Sequence, residues 1–204
     1  MTYLLLLRHA AHDWLGYGIA GRLPGLALNA QGRAQAQALA QRLSGTRIAF
    51  IYASPQPRTQ ETVAPLAARL GLPVAIADEF DEIDFGQWTG KSMAQMQSDE
   101  ARWRDWVEHR SGATPPGGEP FPHVAQRAMA GVERLGRLHR GQTVLVASHG
   151  DVIKAALAGC LGLSLDHLER FEIAPACLSV LAAVDHGWQV RLVNQALTGP
   201  LLPP

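Results

Sequence analysis

The chain has no surplus of charge: 18 Lys and Arg stand against 18 Asp and Glu, so the formal net charge is +0 with histidine neutral. Without a global field there is no electrostatic footprint for nucleic acid or an anionic membrane, and neither is an expected partner. Any anion site must be local. Cysteine is scarce as well. The two present, Cys160 and Cys177, sit in apolar segments without metal-ligand spacing, which suits small buried hydrophobes in a reducing compartment. Long hydrophobic runs are also missing. Leu4 to Leu7 is too short for the core of a signal peptide, has no basic segment before it and meets Arg8 at once. No apolar run nears the roughly 20 residues of a membrane span, so the expected location is the cytoplasm. What remains is a chain of 204 residues, 47% hydrophobic and 18% charged, which excludes disorder and suits one domain with a sizeable core.

Apolar periodicity divides that core into alternating strands and helices. Tyr3 to Leu7 reads as a fully buried strand, Ile48 to Ala53 as a second and Leu72 to Ala77 as a third. Between them lie a helix over Gly32 to Leu43, capped by Asn29, and one over Arg58 to Leu70 that ends at Gly71. Pro65 is expected to kink the latter or to mark its first turn. The middle differs: Ser92 to His109 reads as helix, and Ser111 to Pro122 as a loop rich in Pro and Gly. Residues from about 87 to 122 thus form a helical insert beside the sheet, a natural substrate cap, whose Trp103 and Trp106 read as packing. A long helix follows from about His123 to Leu138, with Val124, Ala128, Val132 and Leu135 as its stripe. Thr143 to Ser148 is the next strand, Asp151 to about Leu161 a helix, and Leu178 to Val184 with Gln189 to Val193 a hairpin around His186-Gly187. Leu197 to Pro204 reads as a loose tail. The sum is a three-layer α/β sandwich with a mostly parallel sheet flanked by helices.

Two of these strands end in a histidine. Leu4-Leu5-Leu6-Leu7 runs into Arg8-His9, and Val144-Leu145-Val146-Ala147 into Ser148-His149-Gly150, although about 140 residues separate the two. A buried strand that stops at a polar residue delivers it to the carboxyl rim of a parallel sheet, where open α/β folds bind ligands. Two imidazoles with a guanidinium suit an anion, phosphate first. Two further segments belong at that rim: Ser54-Pro55-Gln56-Pro57-Arg58-Thr59-Gln60-Glu61-Thr62 and Glu82-Ile83-Asp84-Phe85-Gly86-Gln87-Trp88-Thr89-Gly90.

Together these four segments resemble the histidine phosphatase superfamily, also called the phosphoglycerate mutase-like family. That family carries Arg-His-Gly after the first strand, then Ser-Pro-x-x-Arg-x-x-(Gln/Glu)-Thr, then Glu-x-x-x-Gly-x-Trp-x-Gly, and a late His-Gly. All four occur here in order, over nearly the whole chain. The resemblance implies a single histidine phosphatase domain over residues 1–204, with the cap inserted at about 87–122. It implies that His9 is a nucleophile taking the phosphoryl group as phosphohistidine. Arg8, Arg58 and His149 would hold the phosphoryl oxygens with Gly150 beside them, and Glu82 would protonate the leaving oxygen, Asp84 being its rival. A neutral imidazole is a competent nucleophile, and cationic side chains stabilise phosphoryl transfer without a metal. No cofactor is implied. His9-x-x-His12 is at most half a metal site, with no ligand cluster to complete it. His12, His109, His123, His139, His167 and His186 match no catalytic position and read as hydrogen-bonded core or surface groups, and Lys154 as a surface or sheet-edge cation.

The chain departs from the family pattern in four places. Ala10 replaces the glycine after the nucleophile, and Ala11-His12 replaces a common acidic residue followed by Ser or Thr. Leu15 falls where the family has a phosphate-binding asparagine, and Gly21 where it has Gln, Ser or Thr. Arg22, in Gly21-Arg22-Leu23-Pro24-Gly25, is the expected substitute for the missing polar groups. The leading function is a metal-independent phosphomonoester hydrolase acting on a small phosphorylated metabolite. Pro116-Gly117-Gly118-Glu119 resembles the loop of α-ribazole phosphatases and would turn Glu119 toward substrate. Phosphoglycerate mutase activity and a phosphate-binding module without turnover are the alternatives, and the oligomeric state, a homodimer included, stays open.

Overall fold

Leucines 4 to 7 point alternately to the two faces of a sheet, and both faces are covered. Leu4 and Leu6 join Val144 and Val146 in one hydrophobic cluster, whereas Leu5 and Leu7 join Leu145 and Ala147 in another. That double burial is why these strands read as unbroken apolar runs rather than alternating ones. The structure is a computed structural model and describes residues 1–196; the expected tail at 197–204 lies outside the described residues.

The six strands are β1 (Tyr3–Arg8), β2 (Phe50–Ala53), β3 (Val74–Ile76), β4 (Thr143–Ser148), β5 (Cys177–Val184) and β6 (Gly187–Ala196). They lie in the order β3-β2-β4-β1-β5-β6. β3, β2, β4 and β1 run parallel, and β5 and β6 complete the sheet antiparallel. The third strand keeps only three of its six expected residues. Pro73 removes a donor just before it, and the chain turns into a short 3-10 segment at Asp78–Phe80 soon after.

Helices α1 (Ala30–Leu43) and α2 (Pro57–Leu70) cover one face. Asn29 caps α1 by accepting from the Gly32 N–H at 2.9 Å, and Gly71 ends α2 in the left-handed region at φ 66°. α2 runs through Pro65 without a break in the helix. Helices α5 (Phe121–Leu138) and α6 (Gly150–Leu161) cover the other face, with Val124, Ala128, Val132 and Leu135 all buried. α5 starts two residues before the expected position because Pro122 fits its first turn, where no N–H partner is needed.

The expected helix over 92–109 is broken in two. Ser92 starts α3 (Met93–Met96) with a full capping box to Gln95. A 3-10 turn at Gln97–Asp99 then intervenes before α4 (Glu100–Glu108), and Asp99 accepts from the Trp88 indole at 2.7 Å. Trp88 and Trp106 are fully buried and meet edge to face, so Trp106 is packing as expected. Cys160 and Cys177 are free thiols, and burial pushes Cys160 up to about 11.

The first turn of α1 presses on the loop after β1. A β-carbon at Gly32 would stand 2.0 Å from the Ala11 carbonyl oxygen, whereas one at Gly45 would meet nothing within 4 Å. Gly32→Ala should therefore lower unfolding stability by about 1–3 kcal/mol through overpacking, and Gly45→Ala should stay within about 0.5 kcal/mol of the parent. Urea unfolding of both variants checks this; equal effects would contradict the close approach.

Candidate active site

The register of β1 on β4 makes the site. Arg8 lies opposite Ser148, and the His9 N–H donates to the Ser148 carbonyl at 2.9 Å, so the chain leaves both strands at one level. The rings of His9 and His149 consequently stand 5.3 Å apart. α2 adds Arg58 from its first turn, one residue after Pro57. Residues 81 to 84 then cross the same rim and bring Glu82.

His9, Arg8 and Arg58 are each held by groups that leave at least one nitrogen free, whereas both ring nitrogens of His149 are engaged. His9 is 2% exposed, and its Nδ1 stands 2.9 Å from the Ala10 carbonyl. A carbonyl can only accept, so Nδ1 carries the proton and Nε2 keeps its lone pair. Burial, Arg8 and Arg58 hold this imidazole well below its ordinary value, so it is neutral at pH 7. The Ala10 N–H donates to Thr62 Oγ1 at 2.9 Å, and the Ala11 N–H to Gln35 Oε1 at 2.9 Å, which fixes the backbone around the ring. Ala10 lies outside the left-handed region, where Ala176 and Asn194 are the non-glycine residues among those described, so a β-carbon fits there.

Arg8 donates to the Ile173 carbonyl at 2.5 Å and leaves its Nε without a partner. Arg58 is 0% exposed; it donates to the Gly21 carbonyl at 2.9 Å and to Glu82 at 3.4 Å, and approaches His149 Nδ1 at 3.2 Å. Its Nε and other terminal nitrogen have no partner. Buried donors without acceptors are costly, and an anion at this rim would satisfy them. His149 is pinned through Nε2 to Ser54 Oγ at 2.7 Å and is also held well below its ordinary value, by burial first and then Arg58. Glu82 moves the other way. Burial raises its carboxyl against the pull of Arg58. Asp84 instead accepts from the Gly86 N–H at 2.8 Å and shapes a turn.

Arg8, His9, Glu82 and Gly150 line a cavity of about 290 Å³, whereas Arg58 and His149 are fully buried and adjoin it through Glu82. Trp14, Leu15, Ile19 and Phe85 add an apolar wall, and Met93 and Trp103 approach from α3 and α4. Gly150 makes room for Arg8: a β-carbon there would be 3.3 Å from the guanidinium. His9, Glu82 and His149 each bring a ligand atom within 4.8 Å of the others, close enough to share a metal ion. The two guanidiniums beside them favour an anion over a divalent cation.

Two further expected residues are engaged away from the cavity wall. Arg22 turns to Asp81 at 3.1 Å, to the Glu82 carbonyl at 2.8 Å and to Glu119 at 3.4 Å. Glu119 in turn accepts from Arg127 at 2.8 and 3.1 Å. The carboxylates hold the guanidiniums, and neither Arg22 nor Glu119 is among the residues that line the cavity. Three residues that the sequence assigns elsewhere do reach it, among them Trp103, which packs on Trp88 and also lines the cavity. His12 is 3% exposed and lies against His9, and Lys154 is buried and pairs with Glu169 at 3.4 Å. His139, by contrast, is a hydrogen-bonded buried group, 2.9 Å from the Tyr52 hydroxyl.

A model of the histidine phosphatase superfamily (branch 1) matches residues 4–196. The chain belongs to that family. Phosphoserine phosphatase 1 of Hydrogenobacter thermophilus is 34% identical over 185 residues, 89% of this chain and 86% of that one. Among solved structures, Bacillus stearothermophilus YhfR is similar with a TM-score of 0.89 at 27% identity, covering 95% of this chain and 97% of that one. A putative alpha-ribazole-5'-P phosphatase from Escherichia coli reaches 0.86 at 27% identity, covering 98% of each. The six-stranded, mostly parallel α/β sheet is the fold of these phosphoglycerate mutase-like proteins, and the chain is an enzyme of the phosphatase type. No described helix is long and apolar enough to cross a membrane.

Burying neutral histidines ties stability to pH. His9, His12 and His149 ionise near 6.5 in the unfolded chain, but stay neutral to lower pH when folded, His12 to about 4. In that window the unfolded state binds more protons, so stability falls as pH falls. Glu82, raised in the fold, contributes the opposite slope above 4.5. His139 is lowered by burial too, so with four imidazoles against one carboxyl, Tm should drop on acidification from pH 7 to pH 5 at constant ionic strength. A rise over that range would mean the imidazoles are charged in the folded protein.

Proposed function

We propose that this protein is a metal-independent phosphomonoesterase that transfers the phosphoryl group of a small metabolite to His9 and then to water. The observation that carries this reading is the state of His9: neutral, with Nδ1 committed to the Ala10 carbonyl and Nε2 free beside unpartnered guanidinium nitrogens. In the first step the Nε2 lone pair forms a bond to phosphorus as the ester P–O bond breaks. The Glu82 proton moves to the leaving oxygen, for which its raised carboxyl is suited. In the second step water attacks phosphorus and gives its proton to the Glu82 carboxylate, and the N–P bond breaks to release phosphate and neutral His9. Arg8, Arg58 and His149 hold the non-bridging oxygens, where charge develops in the transition state. Residues 87–122 serve as the cap over the leaving group, since Met93 and Trp103 stand at the cavity wall.

Rapid quench with substrate should trap an acid-labile, base-stable phosphoryl adduct, and His9→Ala should lose both adduct and turnover. An adduct that persists in His9→Ala would assign the nucleophile elsewhere. Isomerisation of a phosphoglycerate by the parent protein when a bisphosphoglycerate is added, with no release of free phosphate, would favour mutase activity instead.

Glu82→Gln keeps the shape and removes the proton donor. Alkyl phosphates should slow by about 10²–10⁴, and p-nitrophenyl phosphate by much less, because its leaving group needs little protonation. Steady-state kinetics on both esters checks this; equal losses would count against Glu82 as the acid.

A further inference from the structure

Leu15 and Gly21 leave the cavity without two polar side chains, and Arg22 is captured elsewhere. Lys154, the other cation at the wall, is engaged by Glu169. His12 remains. Its ring lines the cavity with its centroid 4.9 Å from that of His9, tilted by 34°. The turn after it folds back on it: the Trp14 N–H donates to His12 Nδ1 at 3.2 Å, and the Leu15 N–H to the His12 carbonyl at 3.2 Å. A backbone N–H can only donate, so His12 Nδ1 must keep its lone pair and Nε2 must carry the hydrogen. No other hydrogen bond to the ring occurs among the described residues. The neighbouring charges agree with a neutral ring. Arg8 and Arg58 face it, and the opposing Asp13 is bound to Asn29 at 3.0 Å.

We propose that His12 is a further phosphoryl-contacting residue, whose Nε2–H donates to a non-bridging oxygen in place of the polar groups absent at Leu15 and Gly21. This deepens the phosphomonoesterase reading and rests on it. The geometry explains why a neutral donor suffices. Arg8 and Arg58 already supply two positive charges, so what the third face of a phosphoryl group needs is a directed hydrogen bond. A donor whose tautomer is set by Trp14 supplies one without reorganisation.

The test uses two variants of the full chain, with thermal melting to confirm folding. His12→Phe keeps a flat ring and deletes the donor; His12→Gln keeps a donor near the place of Nε2. Binding of inorganic phosphate is measured by calorimetry, and kcat/KM on p-nitrophenyl phosphate and an alkyl phosphate. The expected result for His12→Phe is a loss of about tenfold to a hundredfold in kcat/KM on both esters, with a parallel loss of phosphate affinity, and His12→Gln should recover most of both. Turnover that falls while phosphate affinity holds would make His12 a support for His9 and overturn the proposal. A loss on one ester alone would place it at the leaving group and also overturn it. If the parent binds phosphate but hydrolyses no ester, the phosphomonoesterase reading fails by itself, and the phosphate affinities of the variants still decide the role of His12.

Discussion

Arg58 is fully buried and Arg8 half-buried, and both stand close to His9, His149 and Glu82. Drawing guanidiniums out of water beside two imidazoles is expensive unless something opposite in sign offsets it. Glu82 does so only in part, because the same burial raises its carboxyl and favours the protonated form. Asp151 and Glu172 line the same cavity and face Arg8, so carboxylates and guanidiniums share the rim, yet Arg8 Nε and two nitrogens of Arg58 lack acceptors. Those open donors shape the chemistry. Burial first, and the guanidiniums second, keep the imidazoles neutral, so that one can attack, and the open donors suit the oxygens of a phosphoryl group. The guanidiniums beside His9, Glu82 and His149 also work against a divalent cation there.

The fold exists around this constraint. β4 lies between β1 and β2, although it comes last of the three in the chain, and its parallel register brings the Ser148 carbonyl under the His9 N–H. Thr62 then links two of the segments: its hydroxyl accepts from the Ala10 N–H and donates to the Arg58 carbonyl at 2.6 Å. One hydroxyl thus couples the nucleophile's backbone to the helix that carries the second guanidinium. Glu61 adds a neighbouring tie by accepting from the Leu28 N–H at 2.8 Å. The loop from residue 10 to 28 is held to α1 and α2 by polar contacts of this kind, while the sheet beneath is held by leucine and valine.

What is legible in the sequence follows from which forces are local. The buried strands β1 and β4, the Asn29 cap, the Gly71 stop and the stripe on α5 are each written in neighbouring residues and appear where periodicity and capping place them, whereas β2 and β3 are shorter than expected. The segments ending in His9 and His149, and those holding Arg58 and Glu82, also meet, because strand ends point to one rim whatever the loops do. The fate of a long charged side chain is different. The sequence points Arg22 at phosphate, but Asp81 and Glu119 come from segments about 60 and 97 residues away and reach it first. His12 and Lys154 read as bystanders although each stands within five residues of His9 or His149, because the direction a side chain takes beyond a strand end is set by the turn that holds it, as the Trp14 N–H holds His12. Ser54 and Thr62 stand inside a family element, yet their work depends on atoms of His149 and Ala10. The break at Gln97–Asp99 likewise reflects a tertiary contact, the Trp88 indole on Asp99.

The central claim is that the imidazole of His9 is neutral and protonated on Nδ1 before substrate arrives. Nitrogen-15 correlation spectra of the histidine side chains, recorded on the ligand-free protein at about pH 6, just below the ordinary histidine value, and assigned with His9→Ala, report both charge and tautomer. The account predicts a neutral ring for His9 with the proton on Nδ1. An imidazolium at that pH, or a neutral ring with its proton on Nε2, would contradict it.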